Sequence, residues 1–442
     1  MSSRQIIVVG GGAAGFFAAI AAAAAGADVT ILEKTARGLD KVRISGGGRC
    51  NVTHAGFEPR EFVARYPRGG KALLGPFTKF SARDTVAWFE ARGVKLKTES
   101  DGRMFPVTDS SQTIVDCLMQ AAQKAGVKLR LNCAVESIAK TADGKFELTL
   151  GRAGSPLPAA GEASVPARRL VSSLAPPPTA GAHGVARPTE TIFAERLLLA
   201  TGGCRAAAAG QMAVSLGHQI EAPVPSLFTF QIEAPWLRSL AGVSLELAEV
   251  SVPSAKLRER GPLLVTHWGL SGPAVLKLSA WGARALHNLN YQFPLFVNWL
   301  PESNAEKIVH DFQARRESAG AKLLVNVPLF PLTARLWEQL VLAAGIARDT
   351  RWSALTRAQS HALAQQILRS EFLVTGKSLN KDEFVTCGGV KLAEVNFQTL
   401  ESRVCPGLFF AGELLDIDGV TGGFNFQAAW TTGFIAGQAM AK

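Results

Sequence analysis

A glycine cluster near residue 10 has the spacing of a phosphate-binding turn. The motif GxGxxG is formed by Gly10, Gly12 and Gly15, with Ala13 and Ala14 before the last glycine. The first glycine permits a tight turn, the second lets a pyrophosphate approach the backbone, and the third lets a helix pack closely on a strand. The free N–H groups at the start of that helix would face the phosphates. The pattern predicts a dinucleotide site.

An acidic residue stands where such a site needs one. Glu33 ends the next strand-like run, at about the 20-residue spacing of this motif. A carboxylate there can accept hydrogen bonds from a ribose, which favours an adenosine without a 2′-phosphate. With strand, helix and carboxylate in register, we prefer a dinucleotide site to a glycine turn of no function. The motif does not separate NAD from FAD.

The C-terminal end holds another glycine-rich junction between a strand and a helix. A strand-like run ends in Gly412-Glu413, and residues 416–427 (DIDGVTGGFNFQ) lead into a helix expected over 428–440. The helix N-terminus would offer N–H groups and a positive dipole to the edge of a flavin that gathers charge on reduction. Gly412 and Glu413 could hold its ribityl chain. A strand–helix unit that closes a sheet explains the same pattern equally well.

Composition limits the class of protein. The 442 residues are 47% hydrophobic and 19% charged, as in folded globular proteins. The six cysteines include no CxxC pair, which excludes a disulfide scaffold and a thiolate zinc site of familiar spacing. We therefore expect no metal site and a cytoplasmic location, because free thiols suit a reducing compartment. A net charge of +11 suggests an anionic partner.

The uncharged stretch over residues 6–27 could be mistaken for a signal peptide or a membrane span. It divides into the β-branched run 6–9, the glycine cluster and an alanine-rich segment that ends at Gly26, and a second strand-like run (29–32) follows. Strand, helix and strand in this order form a βαβ unit, so we expect no membrane segment.

Strand and helix patterns alternate to about residue 150. Helices are expected over 66–93 and 113–126, and strands over 127–131 and 145–150. Residues 151–190 are rich in proline, alanine, glycine and serine, which indicates a low-complexity surface insert.

The middle of the chain has a different pattern. It is β-rich first and helical later, and α/β patterns return towards the C-terminus. This order predicts an α/β nucleotide-binding domain into which the middle is inserted. The expected units are a nucleotide-binding domain (1–203 and 380–442), a β-rich domain (204–300 and 370–379) and a helical subdomain (301–369).

Three longer segments carry a resemblance to a known family. The segments 41–53 (KVRISGGGRCNVT), 266–276 (THWGLSGPAVL) and 386–390 (TCGGV), the last followed by GELLDIDGVTGGFNFQ, resemble signatures of the BaiN/RdsA (YhiN-like) FAD-dependent oxidoreductases. With the N-terminal motif they span nearly the whole chain. The resemblance implies a Rossmann-type FAD-binding domain of the glutathione-reductase-like kind, with an inserted β-barrel-like domain and a small helical domain.

The resemblance also implies where the flavin lies. It places the segment from Ser45 to Asn51 along the flavin, and the residues around Phe424 against its ring. Successive glycines let the backbone lie against a flat ring, and Arg49 can offset phosphate or reduced-flavin charge. The expected cofactor contacts are Gly10, Gly12, Ala13, Ala14, Gly15, Glu33, Lys34, Ser45, Gly46, Gly47, Gly48, Arg49, Asn51, Val135, Thr201, Gly202, Gly412, Glu413, Gly423, Phe424 and Asn425.

Two positions depart from the family pattern. After the Thr-Gly-Gly of residues 201–203, most relatives carry a Ser-Tyr-Pro-like stretch and a glycine-rich turn, where this chain has CRAAAAG (204–210). His54 stands where relatives usually have Asn. The first departure bears on any substrate or flavin contact made through that segment.

Members of this family are associated with NAD(P)H-driven reduction of carbon–carbon double bonds. Their substrates include uridine in large-subunit ribosomal RNA, which becomes dihydrouridine, and steroid-like enones. The resemblance therefore implies FAD as bound cofactor and NAD(P)H as transient reductant. Two alternatives stay open: a small-molecule flavoenzyme (an amine or aminoacetone oxidase, or an enone reductase), and a flavin-bearing RNA-binding factor without turnover.

The charge is concentrated in residues 34–103, which hold 15 Lys and Arg against 7 Asp and Glu, with aromatic residues interleaved. Such a segment favours ribosomal RNA as partner, through phosphate contacts and counterion release. A solvated basic face, with some cations used by the FAD pyrophosphate, is the competing interpretation.

Reduction of a double bond needs a proton donor. The catalytic candidates are Cys50, whose pKa the adjoining Arg49 could lower, and His267, which precedes a Gly-Leu-Ser-Gly turn expected at the lip of a cleft. Cys387 is a further possibility. The competing interpretations are an inert buried thiol and a hydrogen-bonded structural histidine.

Overall fold

The structure, a computed structural model, describes residues 3–152, 190–204, 207–378 and 385–442. The insert predicted over 151–190 lies outside the described residues except at its two ends. In the part of the chain that is described, no helix is both long and apolar enough to cross a bilayer.

The strands follow the β-branched and alternating runs of the sequence. They are β1 (Gln5–Val9), β2 (Asp28–Leu32), β3 (Thr53–His54), β4 (Leu96–Thr98), β5 (Arg103–Pro106), β6 (Lys128–Arg130), β7 (Cys133–Lys140), β8 (Phe146–Arg152), β9 (Glu190–Ala194), β10 (Arg196–Leu199), β11 (Ile220–Ser226), β12 (Thr229–Ile232), β13 (Ser244–Val252), β14 (Leu257–Thr266), β15 (Gly269–Ser271), β16 (Phe293–Asn298), β17 (Ser370–Ser378), β18 (Val385–Val390), β19 (Val395–Asn396), β20 (Glu401–Ser402) and β21 (Leu408–Phe410).

The helices are α1 (Ala13–Ala24), α2 (Asp40–Gly48), α3 (Pro59–Val63), α4 (Gly70–Lys79), α5 (Ala82–Glu90), α6 (Ser111–Lys124), α7 (Ala207–Ser215), α8 (Pro235–Arg238), α9 (Pro273–Trp281), α10 (Ala283–Asn288), α11 (Ala305–Ala319), α12 (Ala334–Ala343), α13 (Arg357–Leu368) and α14 (Phe424–Ala441).

The first strand, β1, lies inside a seven-stranded sheet of order β19-β20-β21-β10-β1-β2-β6. The β1, β2, β6, β10 and β21 strands pair in parallel, and β20 and β19 extend one edge antiparallel. Helix α1 and the three-stranded sheet β7-β8-β9 both contact this sheet. Ile6, Val8 and Ile31 are fully buried, which explains the near-continuous apolar runs of these strands. The predicted Rossmann-type domain is confirmed.

Helices α1 and α14, from the two ends of the chain, pack side by side. A Cβ on Gly433 or Gly437 would overlap the backbone carbonyl of Ala14 or Ala18, so only glycine permits this approach. The two ends of the chain therefore form one packed unit.

The helix predicted over 66–93 is wrong in its extent. Two helices, α4 and α5, occupy this stretch and are separated at Phe80-Ser81. The Ser81 hydroxyl accepts a hydrogen bond from the Asp84 N–H, and the Asp84 carboxylate accepts one from the Ser81 N–H. This capping box starts a new helix inside a continuous apolar pattern, which periodicity does not reveal.

The middle of the chain forms a closed barrel of order β12-β15-β14-β13-β16-β17. This confirms the expected β-barrel-like domain. Helices α11, α12 and α13 lie in the chain between β16 and β17 and pack with the barrel around a second hydrophobic core. Trp299, Trp337 and Trp352 are fully buried there. The first core belongs to the Rossmann-type sheet, so the chain has two centres of apolar burial.

Strands β11 and β18 pair antiparallel and link the two units. Ala209, Ala213 and Leu216, on and just after α7, pack into the core of the Rossmann-type sheet, although the predicted β-rich domain began at residue 204. The barrel strands begin at Thr229. The exact domain boundaries stay predictions.

Candidate functional site

The glycine turn between β1 and α1 has the geometry of a phosphate-binding loop. Gly10 has a φ of +108°, and a Cβ there would overlap the Ala200 carbonyl; a Cβ on Gly15 would overlap the Gly10 carbonyl. Gly12, by contrast, has nothing within 4 Å of a Cβ position. Among the described residues no side chain caps α1, whose first turn begins at Ala13 and Ala14. Its first N–H groups can therefore receive a phosphate.

Glu33 is held beside this turn. Its Oε2 accepts a hydrogen bond from the Gly11 N–H at 2.8 Å, and its Oε1 accepts from the Thr35 N–H at 2.9 Å and from the Thr35 hydroxyl at 2.8 Å. The Cys133 N–H donates to the Glu33 carbonyl at 2.9 Å, so β7, which carries the buried Val135, starts next to the end of β2. Lys34 is exposed. The structure thus brings Glu33 and the start of β7 to one side of the glycine turn.

Thr201 supplies a buried hydroxyl at the same turn. Its Oγ1 has no hydrogen-bond partner in the described part of the chain, and its Cα lies 3.1 Å from the position of a Cβ on Gly10. Leaving such a group unpaired costs on the order of 1–3 kcal/mol, which a ligand oxygen or nitrogen would recover. Gly202 follows with a φ of +80°. An open glycine and an orphaned hydroxyl at one turn fit a dinucleotide.

The segment from Ser45 to Cys50 does not continue α2 regularly. Ser45, Gly46 and Gly47 leave helical geometry, and the φ angles of Gly46, Gly47, Gly48 and Cys50 are 58°, 66°, 84° and 59°. A Cβ on Gly47 or Gly48 would meet nothing within 4 Å. This exposed, left-handed backbone leaves room for a planar ring to lie against it. We refer to residues 45–50 as the glycine loop.

Asn51 connects the glycine loop to α14. With its amide oriented to satisfy both neighbours, Nδ2 donates to the Thr53 carbonyl at 3.0 Å and Oδ1 accepts from the Gly423 N–H at 2.9 Å. Gly423 precedes α14 with a φ of +90°, and a Cβ there would crowd the Thr53 carbonyl. The glycine loop and the N-terminus of α14 thus lie together, and their expected contact with a flavin stays a prediction.

Phe424 and Asn425 point their side chains into the protein. Phe424 is buried, its ring stacks on His54 at 4.8 Å, and its carbonyl accepts from the Tyr66 hydroxyl at 2.6 Å. The Asn425 amide bonds both the N–H (2.8 Å) and the carbonyl (2.9 Å) of Gly419. These two side chains therefore shape the turn before α14, so any contact they make with the cofactor would come from backbone atoms.

Glu413 has two partners that the sequence reasoning missed. The Lys41 ammonium lies 2.8 Å from its Oε2, and the Thr386 N–H donates to its Oε1 at 2.8 Å. Neighbouring Gly412 has a φ of +72° and donates its N–H to the Thr432 hydroxyl at 2.9 Å. Lys41 and Thr386 both lie in the segments that carried the family resemblance, which was the available signal.

Arg49 is already paired. Its Nη1 lies 2.7 Å from Glu99 Oε1 and 3.5 Å from Asp109 Oδ1, and its guanidinium stacks 4.1 Å from the centroid of Phe105. The hydrogen bond to Glu99 raises the pKa of Arg49. Its charge is matched within the protein, which weakens the expected role in offsetting flavin charge.

Cys50 is fully buried, and burial raises the pKa of its thiol to about 12. The expectation that Arg49 lowers this pKa is wrong, because the guanidinium turns to Glu99 and Asp109 instead. Burial also raises the pKa of Cys387 to about 11, although Arg68 acts in the opposite direction. All six cysteines are free and buried. None of them has the exposed, electropositive setting of a reactive thiol.

His267 is exposed in the turn between β14 and β15. The part of the barrel that contacts the Rossmann-type domain includes α9, where the Ala280 carbonyl accepts a hydrogen bond from Arg68 Nη1 at 2.7 Å. The C-terminal end of α9 packs against the beginning of β14, near Leu257. His267 lies beyond the far end of that strand, on the order of 30 Å along it. His267 therefore lies away from this contact between the two units, and its expected position at the lip of a cleft stays a prediction.

His54 lies at the proposed flavin end of the site. Its Nδ1 accepts from the Gly56 N–H at 3.1 Å and its Nε2 lies 3.1 Å from the Asp101 carbonyl, which fixes the tautomer with a proton on Nε2. Burial lowers the pKa of His54. The ring is therefore neutral near pH 7 and packs on Phe424 beside Gly422.

Six of the 15 Lys and Arg side chains in residues 34–103 form ion pairs within the protein. Arg68 forms a two-pronged ion pair with the buried Asp418, to which the Ser226 hydroxyl also donates at 2.7 Å. Other cations of the segment bind carboxylates: Arg37, Lys41, Arg49, Lys97 and Arg103. The exposed cations without an ion pair among the described residues include Lys34, Arg60, Arg65, Lys71 and Lys95. The surface available to an RNA is therefore less basic than the composition suggests.

Comparison with known proteins agrees with this geometry. A profile described as the HI0933-like protein Rossmann domain matches residues 4–168, and one described as the HI0933-like protein barrel and H2TH domain matches residues 224–385. The chain is 30% identical over 424 residues to the Escherichia coli K12 protein named ribosomal RNA dihydrouridine synthase, covering 93% of this chain and 92% of that protein. It is 25% identical to the 3-dehydro-bile acid delta(4,6)-reductase of Clostridium scindens, covering 94% and 93%.

A solved structure shows the same fold at low identity. The 3-ketosteroid-delta4-(5alpha)-dehydrogenase of Rhodococcus jostii RHA1 has a TM-score of 0.50 and 14% identity, covering 100% of this chain and 97% of that chain. That likeness concerns the fold alone. The two profile matches and the relative that is 30% identical along nearly the whole chain show the family. The chain belongs to the HI0933-like family of BaiN/RdsA-type FAD-dependent oxidoreductases.

Proposed function

We propose that this chain reduces a carbon–carbon double bond with NAD(P)H, and that its substrate is uridine in large-subunit ribosomal RNA, which becomes dihydrouridine. The proposal rests on the 30% identity, over 93% of the chain, to a protein named ribosomal RNA dihydrouridine synthase. A second relative so named, from Haemophilus influenzae, is 26% identical over 92% of the chain. A ribosomal substrate would place the enzyme in the cytoplasm.

The residues present fit an FAD. The turn at Gly10–Gly15, Glu33 and the orphaned Thr201 hydroxyl would hold its dinucleotide part. The glycine loop and the N–H groups at the start of α14 would hold its ring. When bound, FAD supplies hydride transfer, while the protein orients the substrate and manages the proton.

The test is the dihydrouridine content of large-subunit ribosomal RNA, measured by mass spectrometry of its nucleosides. Deletion of the gene should lower the dihydrouridine content, and re-expression of the natural chain should restore it. Re-expression of a Gly12→Glu variant should not, because a carboxylate at that open position would repel the pyrophosphate. An unchanged dihydrouridine content in the deletion strain would overturn the RNA assignment.

A second candidate is reduction of a steroid-like enone. It is favoured by the 25% identity to a bile acid reductase, which extends over 94% of the chain. NAD(P)H consumption by the purified flavoprotein, with a 3-oxo-4-ene steroid and with a ribosomal RNA transcript in parallel, discriminates the two. Turnover with the steroid alone would favour this candidate, and turnover with RNA alone would remove it.

A further inference from the structure

We propose that Glu259, on the barrel strand β14, is the proton donor of this reaction. This inference rests on the proposed function, because reduction of a double bond needs a proton as well as a hydride. The three donors considered from the sequence do not suit the task, and Cys387 is excluded by its burial. Cys50 is buried away from any surface, and His267 lies at the opposite end of β14.

Alternation along β14 directs Glu259 towards α9. Residues two apart in a strand share a face, so Glu259 lies on the face of Leu257 and Gly261. Both neighbours meet α9 or its end: a Cβ on Gly261 would lie 3.7 Å from the Ala274 nitrogen, and one on Gly282 would press on the Leu257 side chain. Glu259 therefore faces the middle of α9, the part of the helix that carries Lys277.

This part of α9 meets the Rossmann-type domain. The Arg68 guanidinium donates to the Ala280 carbonyl at 2.7 Å, which fixes α9 against the loop that follows α3. Arg65 lies in the same loop, three residues before Arg68. The charges of Arg65 and Lys277 both reach Glu259, and both also reach His54. Arg65 and Lys277 therefore lie near enough to act on both side chains, which puts Glu259 and His54 at the same junction between the two units.

His54 lies both at this junction and at the end of the site where the flavin ring is proposed to bind. Its ring stacks on Phe424, the first residue of α14, and lies 3.6 Å from a Cβ position on Gly422. Gly423 follows and bonds Asn51, the residue after the glycine loop. Glu259 thus belongs to the part of the barrel that packs near His54, the residue that contacts this turn.

The Glu259 carboxyl does not help to stabilise the fold through a polar contact with the described residues. It is partly exposed, and no described residue gives it a hydrogen bond or an ion pair within 4.0 Å. Burial raises the pKa of Glu259, while Lys277 and Arg65 act in the opposite direction. His54 differs, since both of its ring nitrogens are already occupied. Glu259 is thus an acidic side chain at this junction that is free to meet a substrate.

The reduction takes its hydride and its proton from different sources. One carbon of the double bond receives a hydride, supplied through the flavin by NAD(P)H, which is oxidised by two electrons. The other carbon receives the Glu259 carboxyl proton as the O–H bond breaks and a C–H bond forms. The resulting carboxylate is stabilised by Arg65 and Lys277 and takes a new proton from water. Donors of this kind contribute about 10²–10⁴-fold to a rate.

Glu259→Gln tests the assignment, with Glu246→Gln as matched control because Glu246 is exposed on the neighbouring strand β13. Each holoprotein is reduced anaerobically with NAD(P)H, and its visible absorbance is followed after mixing with ribosomal RNA or with a steroid enone. We expect E259Q to be reduced as fast as the natural chain, to bind RNA equally tightly in a filter assay, and to be reoxidised about 10²–10⁴-fold more slowly. E259D should have a reoxidation rate between those of E259Q and the natural chain, and E246Q should be reoxidised as fast as the natural chain.

The outcomes distinguish a failure of the proposed function from a failure of the role of Glu259. If the reduced natural chain is reoxidised by neither substrate, the proposed function is wrong, and the role of Glu259 falls with it. If the natural chain is reoxidised and E259Q keeps pace with E246Q, the function stands and the assignment of Glu259 is overturned. Equal flavin content and equal melting temperature of the variants exclude misfolding as the cause of a slow rate.

Discussion

Asn51 accepts a hydrogen bond from the Gly423 N–H at 2.9 Å, and this bond joins the glycine loop near the start of the chain to the last helix of the fold. The same amide donates to the Thr53 carbonyl at 3.0 Å. One side chain therefore holds together the two backbone segments that would border the flavin ring.

Asn51→Ala should weaken FAD binding. Loss of two hydrogen bonds lets the glycine loop and the turn before α14 separate, at a cost of about 1–3 kcal/mol. The dissociation constant for FAD, measured by fluorescence titration of the apoprotein, should rise at least about fivefold. Gln123→Ala, at an exposed position on α6, is the control and should leave it unchanged. Unaltered binding in N51A would show that this hydrogen bond does not position the cofactor site.

Thr201→Val should change apoprotein stability and FAD binding in opposite directions. The buried Thr201 hydroxyl has no partner among the described residues, so its replacement by a methyl group should stabilise the apoprotein by about 1 kcal/mol. The same change removes a group that FAD would satisfy, so binding should weaken. Urea unfolding and FAD titration measure the two quantities. A variant that binds FAD as tightly as the natural chain would remove Thr201 from the cofactor contacts.

Cys50→Ala should reduce the sensitivity of the fold to alkaline pH. The folded pKa of Cys50 is about 12, against 9.0 for an ordinary thiol, so between these values the folded state holds a proton that the unfolded chain releases. Its contribution to the free energy of unfolding is complete below pH 9 and falls by up to about 1.4 kcal/mol per pH unit above it. Urea unfolding at pH 8 and pH 10 should therefore show a smaller loss in C50A than in the natural chain. Equal losses would mean that this thiol is not held neutral by burial.

His267→Ala should leave turnover within about twofold of the natural rate, because the side chain lies in an exposed turn beyond the far end of β14. Trp268→Ala in the same turn is a useful companion, since it reports on damage to the turn itself. A loss of turnover approaching that of E259Q would return His267 to the catalytic residues and contradict the placement of the substrate site at the opposite end of the strand.

The sequence was most informative where a local pattern determines the chemistry. Gly10, Gly12, Gly15 and Glu33 lie within one βαβ unit, whose geometry follows from short-range constraints on turns and packing. The structure accordingly brings all four residues to one turn.

Long-range placement could not be predicted in the same way. Arg49 adjoins Cys50 in the chain, but its guanidinium pairs with Glu99, which follows β4 in another part of the domain. His267 and Glu259 share a strand, and which end of it meets the Rossmann-type domain depends on how the barrel docks. Burial of a thiol and orientation of a barrel depend on tertiary structure, which cannot be predicted from residue spacing or composition.

A single turnover of the purified flavoprotein tests most directly whether it reduces uridine in ribosomal RNA. The bound flavin is reduced anaerobically with NADPH or NADH, and a ribosomal RNA transcript that contains the target uridine is then added. We expect loss of the flavin's visible absorbance in the first step, its return in the second, and one dihydrouridine formed per flavin reoxidised. Reduced flavin that stays reduced in the presence of the RNA would contradict it.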